Sequence, residues 1–321
     1  LRVRLGYVAL SLEVKDSSPN KTITWKNLQK VDPKYYISRL RILSKENLKN
    51  QLRLLRYNLG EEIMVYRFTS KLIPLATHEA AAGWNFAEDL AEEFAQIGEF
   101  VRKHKMRVGF HPDHFVNLNS PKEDIVEKSI QDLQYHLQQS QAMGMDEKMK
   151  FNIHMGGAYQ DKQKSLKRLI DNWSQVPEVI QKRLTFENDD KTFTAHETLE
   201  ACQALNIPMV LDIHHHRCNH EHQDLSSILP DIFATWKDSG LPPKIHVSSP
   251  RGTESSAALR SHADLVNLHD LLPFLQLASK HTDALDVMVE AKNKDQALKG
   301  LMNELVAQEG IEKITEASFE I

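Results

Sequence analysis

Residues 184–189 read LTFEND and residues 209–216 read MVLDIHHH. Each is a short β-branched or aromatic run with an acidic side chain, Glu187 or Asp212, in its late position. Such runs, bounded by polar or turn residues, read as buried strands. The same form recurs on both sides. Upstream lie RVRLGYVAL (2–10), MVYRFTS (64–70), RVGFHP (107–112) and FNIHMG (151–156); downstream lie KIHVSS (244–249) and DVMVEAK (286–292). Each run is followed by a helical stretch. Eight β-α units predict an α/β chain forming a single (β/α)8 TIM barrel over residues 1–321. Active sites on that barrel sit at the C-terminal ends of the strands. There the last six runs offer one ligand-type side chain apiece: His111, His154, Glu187, Asp212, His246 and Glu290.

The helices between the runs are legible from their periodicity. Leu48, Leu52, Leu55 and Leu59 line one face of a helix, as do Leu90, Phe94, Ile97 and Val101. Ser120-Pro121 marks a helix start for residues 122–143. Further helices are expected near 163–172, 195–205, 225–237, 268–281 and 295–308. Two connections are long for βα loops, 11–34 and 250–264. Both follow strand ends, so both should lie over the active-site mouth, where long loops carry function. They bring Lys15, Lys21, Lys26, Lys30, Arg251 and Arg260 together with Trp25, a mixture suited to a nucleic-acid backbone and equally to solvated lids.

Composition bounds the reading. The 321 residues are 41% hydrophobic and 26% charged, ordinary for a globular enzyme. No run approaches the ~18 apolar residues of a membrane span. The formal net charge of −4 argues against broad coating of nucleic acid, though not against a local basic groove. Cys202 and Cys218 form no CxxC pair, and a reduced, cytoplasmic setting is expected.

Six ligand-type residues, one per strand end, carry the chemistry. A lone histidine in an apolar strand is more often a hydrogen-bonded core residue. Buried carboxylates, however, need partners, and six such coincidences are poorly explained by packing. Glu187 is central, with His111 and His154 on one flank and Asp212, His246 and Glu290 on the other. Its two oxygens suit it to bridge two divalent ions. His215 and His262 remain for a third. Two or three ions about 3.5–4 Å apart stabilise attacking and leaving oxygens at phosphorus. Periodicity does not choose among the neighbouring histidines. Strand alternation after Asp212 favours His214 and His216, whereas an irregular turn favours His215. Lys244 lies two residues before His246, on the same strand face, where it binds phosphate, takes up carbon dioxide, or simply begins a strand.

These segments, in this order, resemble the ultraviolet-damage endonuclease family. The resemblance rests on RLGYVAL, YRFTSKLIPLATH, GFHPDHFVNLNSPKE, NIHMGGAYQDK, FENDDKTFT, LDIHHHRCN, KIHVSSPRG with RSHADLV, and VMVEAKNKDQAL, which span nearly the whole chain. It implies a metal-dependent barrel related to endonuclease IV, with three divalent ions, usually manganese; zinc suits the same ligands. It implies that His111, His154 and Glu187 hold one ion. Glu187, Asp212, His246 and Glu290 would hold the second, and His215 and His262 the third. It further implies a carboxylated Lys244 and a probing role for Tyr7 and the side chains after His111. The chain departs from the family where His114 and Phe115 stand in place of a frequent Gln-aromatic pair, and where Ser11 replaces a frequent Asn.

The expected function follows. It is hydrolysis of the phosphodiester immediately 5′ of a lesion in double-stranded DNA, leaving a 3′-hydroxyl and a 5′-phosphate. Glu187, Lys244 and His246 would serve the chemistry. Tyr7, Ser11, Arg67, Lys71, His114, Phe115 and Arg251 would touch DNA or the lesion, with Tyr7 and Phe115 as wedges. A monomer with no membrane contact is expected. The alternative is a metal-dependent sugar isomerase or epimerase on a similar barrel, which leaves the basic mouth loops unexplained.

Overall fold

In the computed structural model, which describes residues 1–113, 115–221 and 224–321, eight parallel strands close into a barrel. They are β1 (Arg2–Val8), β2 (Val65–Arg67), β3 (Arg107–Phe110), β4 (Lys150–His154), β5 (Leu184–Glu187), β6 (Met209–Asp212), β7 (Lys244–Val247) and β8 (Ala284–Val289). Each pairs with its sequence neighbours, and β1 closes the ring between β2 and β8. The α/β barrel expected from the eight runs is therefore the observed fold.

Side-chain alternation sorts each strand between two environments. Val3, Leu5 and Tyr7 join the main core together with Leu48, Leu52 and Leu55 from the helix Tyr36–Gly60. Val8, Val65 and Met288 form a separate, small cluster inside the ring. Most of the remaining interior is polar. Asn152 accepts from Thr185 Oγ1 at 2.7 Å and donates to Glu187. A barrel that fills its interior with hydrogen-bonded polar groups gives up apolar burial to hold a site.

The helices follow the expected faces with local breaks. Leu90, Phe94, Ile97 and Val101 are all buried, but the stretch splits into Phe86–Asp89 and Ala91–Lys103. The helix expected over 225–237 is reduced to Leu229–Ala234, flanked by single 3₁₀ turns. Pro230 sits in its first turn, where the missing N–H costs nothing, so the helix starts there.

A C-terminal hairpin, β9 (Glu312–Thr315) and β10 (Ser318–Glu320), docks through β10, which pairs antiparallel with the start of β1. The polar EKIT run carries no strand signal by itself. It pairs with β10, and β10 in turn takes the edge that β1 offers before its pairing with β2 begins. Among the described residues, no helix is long and apolar enough to cross a membrane.

Candidate metal centre

The strand ends deliver the ligands to one mouth. His154, Glu187 and Asp212 are the last residues of β4, β5 and β6; His246 lies within β7; His111 and Glu290 directly follow β3 and β8. Glu187 is 1% exposed. Its Oε2 lies 3.2 Å from His111 Nε2 and 3.1 Å from His246 Nδ1, and its Oε1 lies 3.4 Å from His215 Nδ1. His246 Nδ1 also lies 3.0 Å from Glu290 Oε1. Three groups have ligand atoms all within 4.8 Å of one another: His111, His154 and Glu187; Glu187, Asp212 and His215; and Asp212, His246 and Glu290. Glu187 and Asp212 each belong to two of them, as bridging carboxylates would.

The choice among the histidines comes from a change of secondary structure. A short helix, Ile213–Cys218, begins directly after Asp212. Asp212 caps it, accepting from His215 N at 2.8 Å. One helical turn then returns His215 towards Glu187, whereas strand alternation would have favoured His214 and His216. His214 turns towards Cys218, whose Sγ is 4.0 Å from His214 Nε2, and His216 faces His220. Among the described residues, neither cysteine belongs to a ligand group. Asn188 clamps the same corner, donating to Asp212 O and accepting from Asp212 N, both at 2.9 Å. Sequence reasoning misses Asn152, within β4, and Asn188, just past β5, because an asparagine at such a place carries no signal until its partners are known.

His262 arrives from the loop 250–264. An antiparallel bridge between Pro250 and His262, with Arg251 N donating to Ser261 O at 2.7 Å, folds the loop back over the mouth. His262 Nδ1 lies 4.0 Å from Glu290 Oε2, outside the three tight groups, and its ring is 6.3 Å from that of His215.

The electrostatics suit a cation site. Burial alone would raise the Glu187 carboxyl, yet His246 and His154 hold it well below the ordinary range. Glu290 is likewise held down against burial by Arg67 and His246. Asp212 moves the other way, raised by burial and by Glu187 and Glu290. Burial lowers His246, but Glu187 and Glu290 raise it to about 9. Asp212 Oδ2, His154 Nδ1 and His246 Nδ1 are buried without an aligned hydrogen-bond partner. Orphaned buried polar atoms are costly, and all three belong to the clustered donor set. Mixed imidazole and carboxylate donors match manganese, zinc or iron, so the residues fit divalent ions.

Lys244 points into the barrel below this layer, in register with Asp286. Burial and the positive charges of Arg107, Arg67 and Arg4 push its amine down to about 7, against the opposing carboxylate of Asp286.

The side chains expected to meet DNA are distributed unevenly. Tyr7 is a correction: its ring is fully buried on the outer face of β1, and its hydroxyl donates to Asn58 Oδ1 at 2.7 Å. Alternation turns Val8, not Tyr7, into the ring, so Tyr7 cannot wedge into a duplex. Phe115 is 74% exposed beyond β3. His114 lies outside the described residues. Ser11 donates to Asp295, which also accepts from Leu12 N at 2.8 Å and Tyr57 Oη at 3.0 Å, so Ser11 anchors the first long loop. Arg67 pairs with Glu290. Lys71 and Arg251 are exposed, as are Lys15, Lys26 and Lys30. Trp25 is partly buried against Tyr36 and His78, and Lys21 pairs with Glu46 at 2.5 Å.

A closed parallel barrel with clustered histidines and carboxylates at its C-terminal mouth defines the class: a (β/α)8 barrel whose strand ends carry groups able to hold metal ions. The chain belongs to the UV-endonuclease family, whose profile, UV-endonuclease UvdE, matches residues 3–320. It is 42% identical over 312 residues to the UV DNA damage endonuclease of Bacillus velezensis (strain DSM 23117 / BGSC 10A6 / LMG 26770 / FZB42), covering 97% of this chain and 96% of that one. It is 41% identical to the enzyme of the same name from Bacillus pumilus (strain SAFR-032), covering 100% and 99%. The crystal structure of SacUVDE superposes with a TM-score of 0.80 at 31% identity, over 92% of this chain and 95% of that one. Endonuclease IV from Thermus thermophilus, at 15% identity and a TM-score of 0.51 over 89% and 91%, shares the fold. The chain is thus a nuclease that acts on DNA, and its likeness to epimerases is one of fold alone.

Proposed function

We propose that residues 1–321 work as one barrel domain that nicks double-stranded DNA immediately 5′ of ultraviolet photoproducts and other lesions, leaving a 3′-hydroxyl and a 5′-phosphate. The observation that carries this reading is the double membership of Glu187 and Asp212 in adjoining ligand groups. His111, His154 and Glu187 would hold one divalent ion; Glu187, Asp212, His246 and Glu290 a second; His215 and His262 a third, with manganese preferred and zinc next. Bound there, such ions polarise the phosphate and make water a competent nucleophile near neutral pH.

The chain's own side chains set the stage for that chemistry. Asn152 and Asn188 orient Glu187 and Asp212, as outer-shell partners do for metal ligands. Arg67, which pairs with Glu290, would offer its charge to a scissile phosphate. Lys244 lies among Arg107, Arg67 and Arg4; Asp286 pairs with Arg4 and Arg107, and Glu290 with Arg67. The neutral form of the Lys244 amine would add to carbon dioxide and release one proton to solvent, and the resulting carbamate would place a further negative charge among these arginines. Lys71, Arg251 and the anchored Ser11 loop contact the backbone, while Phe115, beside His114, fills the gap left by unstacked nucleotides. The enzyme acts as a monomer, in the cytoplasm with the DNA it repairs.

The test is a photoproduct duplex and its undamaged control, incubated with manganese and mapped at single-nucleotide resolution. A single nick directly 5′ of the lesion, abolished by chelator, supports the reading. Cleavage of both duplexes alike, or full activity in excess chelator, overturns it.

A further inference from the structure

A large cavity lies at the opposite end of the barrel from the candidate metal centre. It has a volume of about 1040 Å³ and is bounded by the N-terminal ends of the strands and by the hairpin β9–β10. That volume falls at the upper end of the range for small-molecule sites, roughly 300–1,000 Å³. Its walls are chiefly apolar, with Met64, Val101, Met106, Leu241 and Leu285 among them.

The polar groups at this cavity are mostly of one sign. Arg2, Arg4, Arg102, Lys105, Arg107 and Lys148 line it, against Glu62, Asp146 and Asp286. Asp286 is already committed, accepting from Arg4 Nε at 2.7 Å and from Arg107 Nη1 at 2.6 Å. Arg102 donates its Nη1 to the carbonyls of Met143 and Gly144. Among the described residues, Arg2, Arg102, Lys105 and Lys148 form no ion pair. Lys105 sits at φ +53°, just past the helix Ala91–Lys103, a turn that ends the helix at the cavity rim. In a chain of net charge −4, unpaired cations converging on an apolar pocket are not the general surface.

We propose that this cavity is a binding site for an amphipathic organic anion, with its apolar body against the methionine and leucine walls and its acidic group at Arg2, Arg102, Lys105 and Lys148. Arg107 and His111 bound β3 at opposite ends, roughly 13 Å apart at about 3.3 Å per residue. The cavity and the metal centre can therefore be occupied together, and DNA at the mouth does not compete.

The probe is 8-anilinonaphthalene-1-sulfonate, an aromatic body bearing one sulfonate, followed by fluorescence with the intact protein. One saturable site is expected. Its affinity should fall at least tenfold in the Lys105→Glu/Lys148→Glu double variant, while the neutral analogue N-phenyl-1-naphthylamine binds both proteins alike. Both lysines are exposed, so the variant should keep wild-type nicking, which serves as the check on folding. Unchanged dye affinity in the double variant, equal losses for the neutral analogue, or displacement of the dye by duplex DNA would each overturn the proposal.

Discussion

Glu187 Oε2 and His246 Nδ1 lie 3.1 Å apart although β6 separates their strands. The contact exists because the barrel curves, bringing inward side chains of alternate strands together across its mouth. Glu187→Gln keeps the shape but loses one anionic oxygen from a carboxylate shared by two ligand groups. Outer-shell partners of a metal typically matter by 10–100-fold, so a shared ligand should cost more than about 100-fold in nicking rate. Metal analysis of the purified variant should show fewer equivalents than wild type. Wild-type activity with full metal content would remove Glu187 from the centre.

His215 and His216 are neighbours with opposite orientations. His215 lies within reach of Glu187, and His216 faces His220. His215→Ala should lower nicking by at least tenfold more than His216→Ala, measured as kcat/KM on one lesion duplex. Equal losses would mean that the turn after Asp212 does not select between them.

Lys71 and Arg251 are exposed at the mouth, whereas Arg67 is engaged with Glu290. Neutralising Lys71 or Arg251 should weaken binding of damaged and undamaged duplex alike and reduce the salt slope by roughly one unit each. Neutralising Arg67 should lower kcat more than affinity. An unchanged salt slope for either exposed residue takes it out of the interface.

Phe115 and Tyr7 should separate cleanly. Phe115→Ala, at a largely exposed position, should leave stability unchanged and weaken discrimination for a photoproduct duplex, read by a fluorescent base analogue opposite the lesion. Tyr7→Phe removes a buried donor from Asn58 and should cost about 1–3 kcal/mol in urea unfolding, with lesion discrimination intact. If Phe115→Ala unstacks and nicks the lesion like wild type, recognition resides in the long loops.

Asp286 governs acid stability at the other end of the barrel. Burial opposes its charge, but Arg107 and Arg4 hold its carboxyl below the ordinary range. A folded-state value below the unfolded one gives stability that is complete above about pH 4 and is lost as pH falls through the folded value. Asp286→Asn should cost about 3–5 kcal/mol at pH 7 by leaving the buried Arg107 and the partly buried Arg4 unpaired. The gap to wild type should narrow on acidification. A gap that persists undiminished at pH 2–3 would assign the loss to packing instead.

The barrel and six candidate ligands are legible in the chain because each strand is a short apolar run and its inward face has period two. One His, Asp or Glu at the end of a run means little, but six consecutive runs ending so imply a closed ring that brings them together. The resemblance, not periodicity, chooses His215, and the structure supplies the reason: a capped helix starts at Asp212, so the strand period stops there. The wedge expected at Tyr7 fails for the complementary reason, since a residue's closeness to a strand end says nothing about which face it occupies until the ring's inside is known from Val8, Val65 and Met288. The docking of β10 on β1, the Asn152 and Asn188 clamps, the Asp295 anchor and the basic cavity all depend on residues far apart in the chain. Local pattern carries period and composition. Contacts between distant polar side chains are decided only when closure of the barrel sets which of them share a buried space.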